Sequence, residues 1–215
     1  QTGSALTTNN GSISNNTNGA STAPATTAPN VKTYPAEAAT PSSITYASTA
    51  PINGHIKVGK ELDNQQGRIT ANGLTDLYGK GDVDNAEGTL TLGQLKWLDA
   101  NLFDNHSGKI QTQESQVSAQ DVNNTQGVWM AQQQLAIQTV NTLTNTGGKL
   151  IGGNDITLAA IDLNNQNGQI ATTKSLQANI KGNLDNQQGN ISANQSLTLT
   201  ALNLNNTAGE LGSAN

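Results

Sequence analysis

From about residue 52 to the last residue, apolar and polar side chains alternate in short bursts. In one burst Leu197, Leu199 and Ala201 alternate with Thr198 and Thr200. A period of two puts one set of side chains on each side of a β-strand, one face in and one out. The bursts are punctuated by the element Asn-x-x-Gly, which occurs eight times and ends at Gly67, Gly88, Gly108, Gly127, Gly148, Gly168, Gly189 and Gly209. The spacing stays between 19 and 21 residues. The paired asparagines are Asn64, Asn85, Asn105, Asn124, Asn145, Asn165, Asn186 and Asn206. Two residues before each Asn stands an apolar residue (Leu62, Val83, Phe103, Val122, Leu143, Leu163, Leu184, Leu204). Two residues after each Gly stands another (Ile69, Leu90, Ile110, Trp129, Leu150, Ile170, Ile191, Leu211). Eight recurrences at four fixed positions define a repeat, and a repeat of this length predicts a stacked architecture.

Each unit holds two or three short strands and tight turns, which is one coil of a solenoid. Asn first and Gly fourth is the preference of a type I turn, with Gly tolerating the conformation that re-enters the strand. Stacked coils lie ~4.8 Å apart, so eight make a rod about 35–40 Å long. Inward residues then stack on their equivalents above and below, and the asparagines are expected to face inward as a side-chain amide ladder. The pattern is that of an all-β parallel β-helix. His55–Asn64 aligns with Gln177–Asn186, which starts the solenoid near Ile52. Gly79-Lys80-Gly81 reads as a turn variant that lengthens the first coil. A leucine-rich repeat is the rival at this period, but the Asn is followed by x-x-Gly and no helical pattern fills the unit. A calcium-binding nonapeptide array finds only a lone partial match in Gly152-Gly153-Asn154-Asp155.

The first quarter has a different grammar. All five prolines lie there (Pro24, Pro29, Pro35, Pro41, Pro51) among Ser, Thr, Asn, Ala and Gly. Residues 1–51 therefore read as a low-complexity linker or extended tail. Tyr34, Ile44 and Tyr46 are its expected anchors on the rod, whose first coil it is placed to cap. Residues 52–215 form the repeat domain, truncated at the C-terminal end. The chain opens on Gln1 with no visible signal peptide, which reads as a fragment of something longer.

Composition fits this picture. Of 215 residues only 33% are hydrophobic and 3% aromatic, against the roughly 45–50% apolar of a typical globular domain. A narrow stacked core needs no more. With a formal net charge of -5 and one arginine, Arg68, the chain is a poor nucleic-acid binder. It has no cysteine, hence no disulfide framework or thiolate metal site, and no apolar run long enough to insert in a membrane.

The segment Leu184-Asp185-Asn186-Gln187-Gln188-Gly189-Asn190-Ile191-Ser192-Ala193, followed by Leu197-Thr198-Leu199-Thr200-Ala201, closely resembles the haemagglutinin repeat of filamentous-haemagglutinin-like exoproteins. The resemblance covers residues 52–215. Repeats three and four depart most, at Gln116-Val117 and Trp129-Met130. It implies a right-handed parallel β-helix exported across a Gram-negative outer membrane through a two-partner-secretion transporter. The protein would then be secreted or held at the cell surface, as an adhesin or as the stalk of a contact-dependent growth-inhibition toxin. Its partners would be that transporter and a target-cell receptor or glycan. The family's repeats carry no catalytic residues to transfer, so no cofactor and no enzyme activity is expected.

Three reaction-bearing or binding constellations remain. A polysaccharide lyase or hydrolase needs clustered carboxylates. Asp63, Asp84 and Asp104 hold one repeat position in three successive coils, which reads as a solvated acidic stripe with no base at a fixed offset. His55 and His106 are the only histidines and stand far apart in the chain, which gives no metal site. Among the aromatics, Phe103 and Trp129 fall in inward columns. Trp97 sits where alternation is irregular. An outward Trp97 beside Lys96, Gln94 and Asn101 would suit sugar stacking or a protein contact. The Asn-x-Ser/Thr triplets at Asn15, Asn105, Asn123, Asn190, Asn194 and Asn205 arise by composition in so Asn- and Thr-rich a chain.

Overall fold

The computed structural model describes the backbone of Leu6–Thr7, Ser12–Asn16 and Ser43–Ala47, and residues 55–71 and 76–214. Among these residues every element is a strand or a turn. The strands form two long sheets, one of 15 strands and one of 10, and the pairings within both are parallel. This is a β-solenoid.

One coil shows how the sequence winds. Leu135–Thr139 and Thr142–Thr144 lie in the larger sheet. The turn at Asn145–Gly148 follows, and Lys149–Gly152 then runs in the smaller sheet. The next coil repeats the path, with Leu135 opposite Ile156, Leu143 opposite Leu163 and Leu150 opposite Ile170. Pairing residues about twenty apart in one register stacks like on like. The inward columns are accordingly apolar and buried. Leu62, Val83, Phe103, Val122, Leu143, Leu163 and Leu184 fill one, and Ile69, Leu90, Ile110, Trp129, Leu150, Ile170 and Ile191 another. Each buried side chain of this size contributes ~1.5–3 kcal/mol, and neighbouring coils share the burial.

Coils three and four, built around Asn105 and Asn124, depart from this regularity as their sequences suggest. Their first two strands fuse into Gln94–Asp104 and Glu114–Asn123. The register between them slips between Trp97 and Ala100, and Asp99 there has φ 60°, which marks a β-bulge. These coils take bulky aromatics: Phe103 and Trp129 stack with centroids 5.0 Å apart. The Trp129 Nε1–H donates to Ser115 Oγ at 3.0 Å, and Ser115 also bonds Thr112 Oγ1 at 2.8 Å. Ser115 occupies a column held by Leu95 and Leu135 in the coils on either side, so a serine here both makes room for the indole and satisfies it.

The sheets extend beyond the boundary expected near Ile52. Leu6–Thr7 pairs with Leu62–Asp63, with Leu6 opposite Leu62. Ser12–Asn16 pairs with Arg68–Ala71, with Ile13 opposite Ile69, and Ser43–Ala47 lies on its far side. Leu6, Gly11 and Ile13 keep the spacing of Leu62, Gly67 and Ile69, with Thr8 where Asn64 would stand. Both sheets thus continue past the first recognised coil. Of the expected anchors, Tyr34 lies outside the described residues. Ile44 and Tyr46 belong to the strand Ser43–Ala47, but their side chains are also outside the description.

Candidate functional site: the asparagine ladder and the outward sheet face

The eight asparagines form a continuous ladder along the rod. Each Nδ2 donates to Oδ1 of the next: Asn64 to Asn85 and Asn85 to Asn105 at 2.6 Å, then on through Asn124, Asn145, Asn165, Asn186 and Asn206 at 2.7 Å per step. The same Nδ2 donates to the carbonyl of the glycine three residues on, as from Asn145 to Gly148 at 3.3 Å. Seven of the eight are fully buried, and Asn206 on the last coil is partly exposed. Buried amides are tolerable because each is satisfied on both sides.

The turn itself is not the expected type I. Its N–H···O bond from fourth to first residue is present, as from Gly67 to Asn64 at 2.8 Å. But the third residue has positive φ in every coil, between 53° and 63°, at Gln66, Glu87, Ser107, Gln126, Gly147, Asn167, Gln188 and Ala208. That is the signature of a type II turn. The glycine after it is needed for another reason. A Cβ at Gly88, Gly108, Gly127, Gly148, Gly168, Gly189 or Gly209 would lie 2.1–2.2 Å from the backbone oxygen of the previous coil's ladder asparagine. Glycine lets the coils approach closely enough for the ladder to close; Gly67 holds the same place in the first turn.

Trp97 does not face solvent. Its side chain is fully buried, its Nε1–H donates to the Gly81 carbonyl at 2.6 Å, and a Cβ on Gly79 would sit 2.3 Å from its ring. Gly79 opens the space that the indole fills, and Gly81 supplies the carbonyl that its N–H meets. Trp97 is therefore a core residue and no stacking platform. Lys96 and Asn101 are exposed, but Asn101 lies past the bulge, its backbone N–H held by Asp82 Oδ1 at 2.8 Å.

The carboxylates at Asp63, Asp84 and Asp104 are half-buried turn caps. Each accepts the backbone N–H two residues on, from Gln65 at 3.1 Å, Ala86 at 2.9 Å and His106 at 2.8 Å. Asn123, Asn164, Asp185 and Asn205 repeat this bond in other coils, which explains why Asp and Asn interchange there. Among the described residues no group of three or more His, Cys, Asp or Glu is arranged to hold a metal ion. No described helix is long and apolar enough to cross a membrane.

The outward face of the larger sheet holds a cluster that the sequence reading passed over. Tyr78 lies between Lys57 and Lys96 in register. Its hydroxyl donates to Asp76 Oδ2 at 3.0 Å, with Gln94 Oε1 at 3.5 Å. Asp76 Oδ1 also accepts the Gln94 backbone N–H at 3.0 Å, and Gln94 Nε2 donates to Glu114 Oε2 at 3.4 Å. The bond to Asp76, reinforced by partial burial and by the carboxylate's charge, raises the Tyr78 pKa above its ordinary value. The signal was available: in Asp76-Leu77-Tyr78, the buried Leu77 turns both neighbours outward.

No family model, characterised protein or solved structure matches the chain.

Proposed function

We propose that this chain is a rod-forming segment of a large exported surface protein of the filamentous-haemagglutinin type, a stalk that carries binding or toxin domains toward another cell. The single observation behind this reading is the ladder. It runs without a break from Asn64 to Asn206, each inner rung bonded to the rungs before and after it, so the coils gain stability by extension along one axis. A fold built on this plan suits spanning a distance better than enclosing a substrate. The repeat Leu-x-Asn-x-x-Gly-x-Ile, to which the resemblance attaches, is also the one whose side chains make the stack. Export through a two-partner-secretion transporter, and a target-cell receptor or glycan, are parts of this proposal. Antibodies raised against the folded fragment should label intact cells of the source organism, and protease added outside should remove the label. Labelling that appears only after lysis would refute the surface assignment.

A further inference from the structure

The outward face of the larger sheet is not uniform. Along the column that runs through Tyr78, later coils carry Ala136, Thr157, Gln177 and Thr198. The first coils instead carry Lys57, Tyr78 and Lys96, and the column beside it carries Asp76, Gln94 and Glu114. A half-exposed aromatic ring thus lies between two exposed lysines on neighbouring strands, each ~4.8 Å away along the sheet. A fixed row of acceptors and an amide borders it. The hydrogen bonds among Asp76, Tyr78, Gln94 and Glu114 hold these groups in place before any ligand arrives, which lowers the ordering cost of binding.

We infer that this cluster is a binding site for an acidic glycan, one bearing a uronate or similar carboxylated sugar. A pyranose presents weakly positive C–H groups on one face, which suit the negative face of an aromatic ring. Its hydroxyls are donors for Asp76 and Glu114 and acceptors for the Gln94 amide. Its carboxylate meets Lys96 or Lys57. A parallel sheet suits an extended chain better than a single sugar, because the cluster is spread over four neighbouring strands. A protein partner would be expected to need a larger apolar centre, and the cluster offers one ring. This site goes beyond the rod and does not depend on the export reading.

Isothermal titration calorimetry of the full chain with oligogalacturonate, and in parallel with its methyl ester, tests the assignment. Binding of the acid is expected, about tenfold or more weaker for the ester, for Lys96→Gln and for Gln94→Ala, and lost in Tyr78→Ala. Lys174→Gln, an equal change of charge on an exposed lysine of a distant coil, should bind like the parent. Circular dichroism of each variant separates lost binding from lost fold, and Gln94→Ala keeps the test decisive if Tyr78→Ala unfolds. Absence of binding to either oligosaccharide would overturn the site. Equal binding of acid and ester would overturn the acidic class, and binding unchanged in both Tyr78→Ala and Gln94→Ala would overturn the location.

Discussion

Asn145→Ala removes one rung from the middle of the ladder. The lost side chain accepts from Asn124 Nδ2 at 2.7 Å and donates to Asn165 Oδ1 at 2.7 Å, to Gly148 O at 3.3 Å and to Gln169 O at 3.2 Å. The two orphans are unequal. Asn124 Nδ2 keeps the carbonyls of Gly127 and Lys149, at 3.3 and 3.2 Å. Asn165 Oδ1 loses the amide that fed it, at a fully buried position. A buried polar group left without a partner costs ~1–3 kcal/mol, so one full and one partial orphan come to about 2–4 kcal/mol. At about 2–4 °C per kcal/mol for a chain of this size, the melting temperature should fall by roughly 5–15 °C. Asn206→Ala is the control. It removes only the bond from Asn186 and one to Gly209 O at 3.1 Å, and it sits where water replaces both, so about 1 kcal/mol or less is expected. The exposed Asn205→Ala should cost no more. Urea denaturation followed by far-ultraviolet circular dichroism reads all three. Equal midpoints for Asn145→Ala and Asn206→Ala, at unchanged slope, would show that the ladder does not stabilise the stack as argued.

Gly148→Ala should destabilise at least as much as Asn145→Ala, because its Cβ would meet the Asn124 oxygen at 2.1 Å and force two coils apart; a melting temperature within a degree or so of the parent would contradict the close-approach role. Trp97→Ala should cost ~3–5 kcal/mol as a buried large-to-small change, so any binding it abolishes must first be checked against loss of fold. Asp76→Asn should return the phenol titration of Tyr78 toward the ordinary tyrosine value, read by ultraviolet difference spectra in a Tyr34→Phe, Tyr46→Phe background. The raised folded-state pKa also means that the contribution of Tyr78 to stability is complete below about pH 10 and is lost as pH rises through its folded pKa. Stability that climbs across that window because of Tyr78 would reverse the sign of the argument.

The repeat was legible because every coil faces the same constraints. Leu143, Asn145, Gly148 and Leu150 each meet their own kind above and below, so the sequence carries the contact map as a period. The inward amide ladder followed directly. The turn type did not, because the usual propensities of Asn and Gly belong to isolated turns. Here coil-to-coil contact selects glycine at the fourth position, while the left-handed residue is Gln66 or Ala208, which no propensity would choose. The direction of Trp97 stayed open for a related reason. A bulge at Asp99 breaks the alternation on which inward and outward assignments rest, and the space for the indole comes from Gly79 in the coil before. The pairing of Leu6–Thr7 and Ser12–Asn16 with the first coil was not legible from the Asn period, since Thr8 stands where the ladder asparagine would and a long stretch of sequence separates them from Leu62. Tyr78 was legible in principle, since strict alternation around Leu77 turns it outward, but its partners Gln94 and Glu114 come from later coils and only the register joins them.

The ladder has a direction. In each of its seven steps the donor belongs to the earlier coil and the acceptor to the later one. The carboxamide dipoles therefore all point the same way and sum along the rod instead of cancelling. Reversing any single amide would set N–H against N–H on one side and oxygen against oxygen on the other, so the orientation of one rung fixes that of all the rest. The stack is vectorial. A chain that winds up from its N-terminal end always presents a donor to the coil that arrives next, and that coil brings the matching oxygen at the same point of its path. Each finished coil is the template for the one that follows, and the rod can lengthen through successive repeats without a new structural rule.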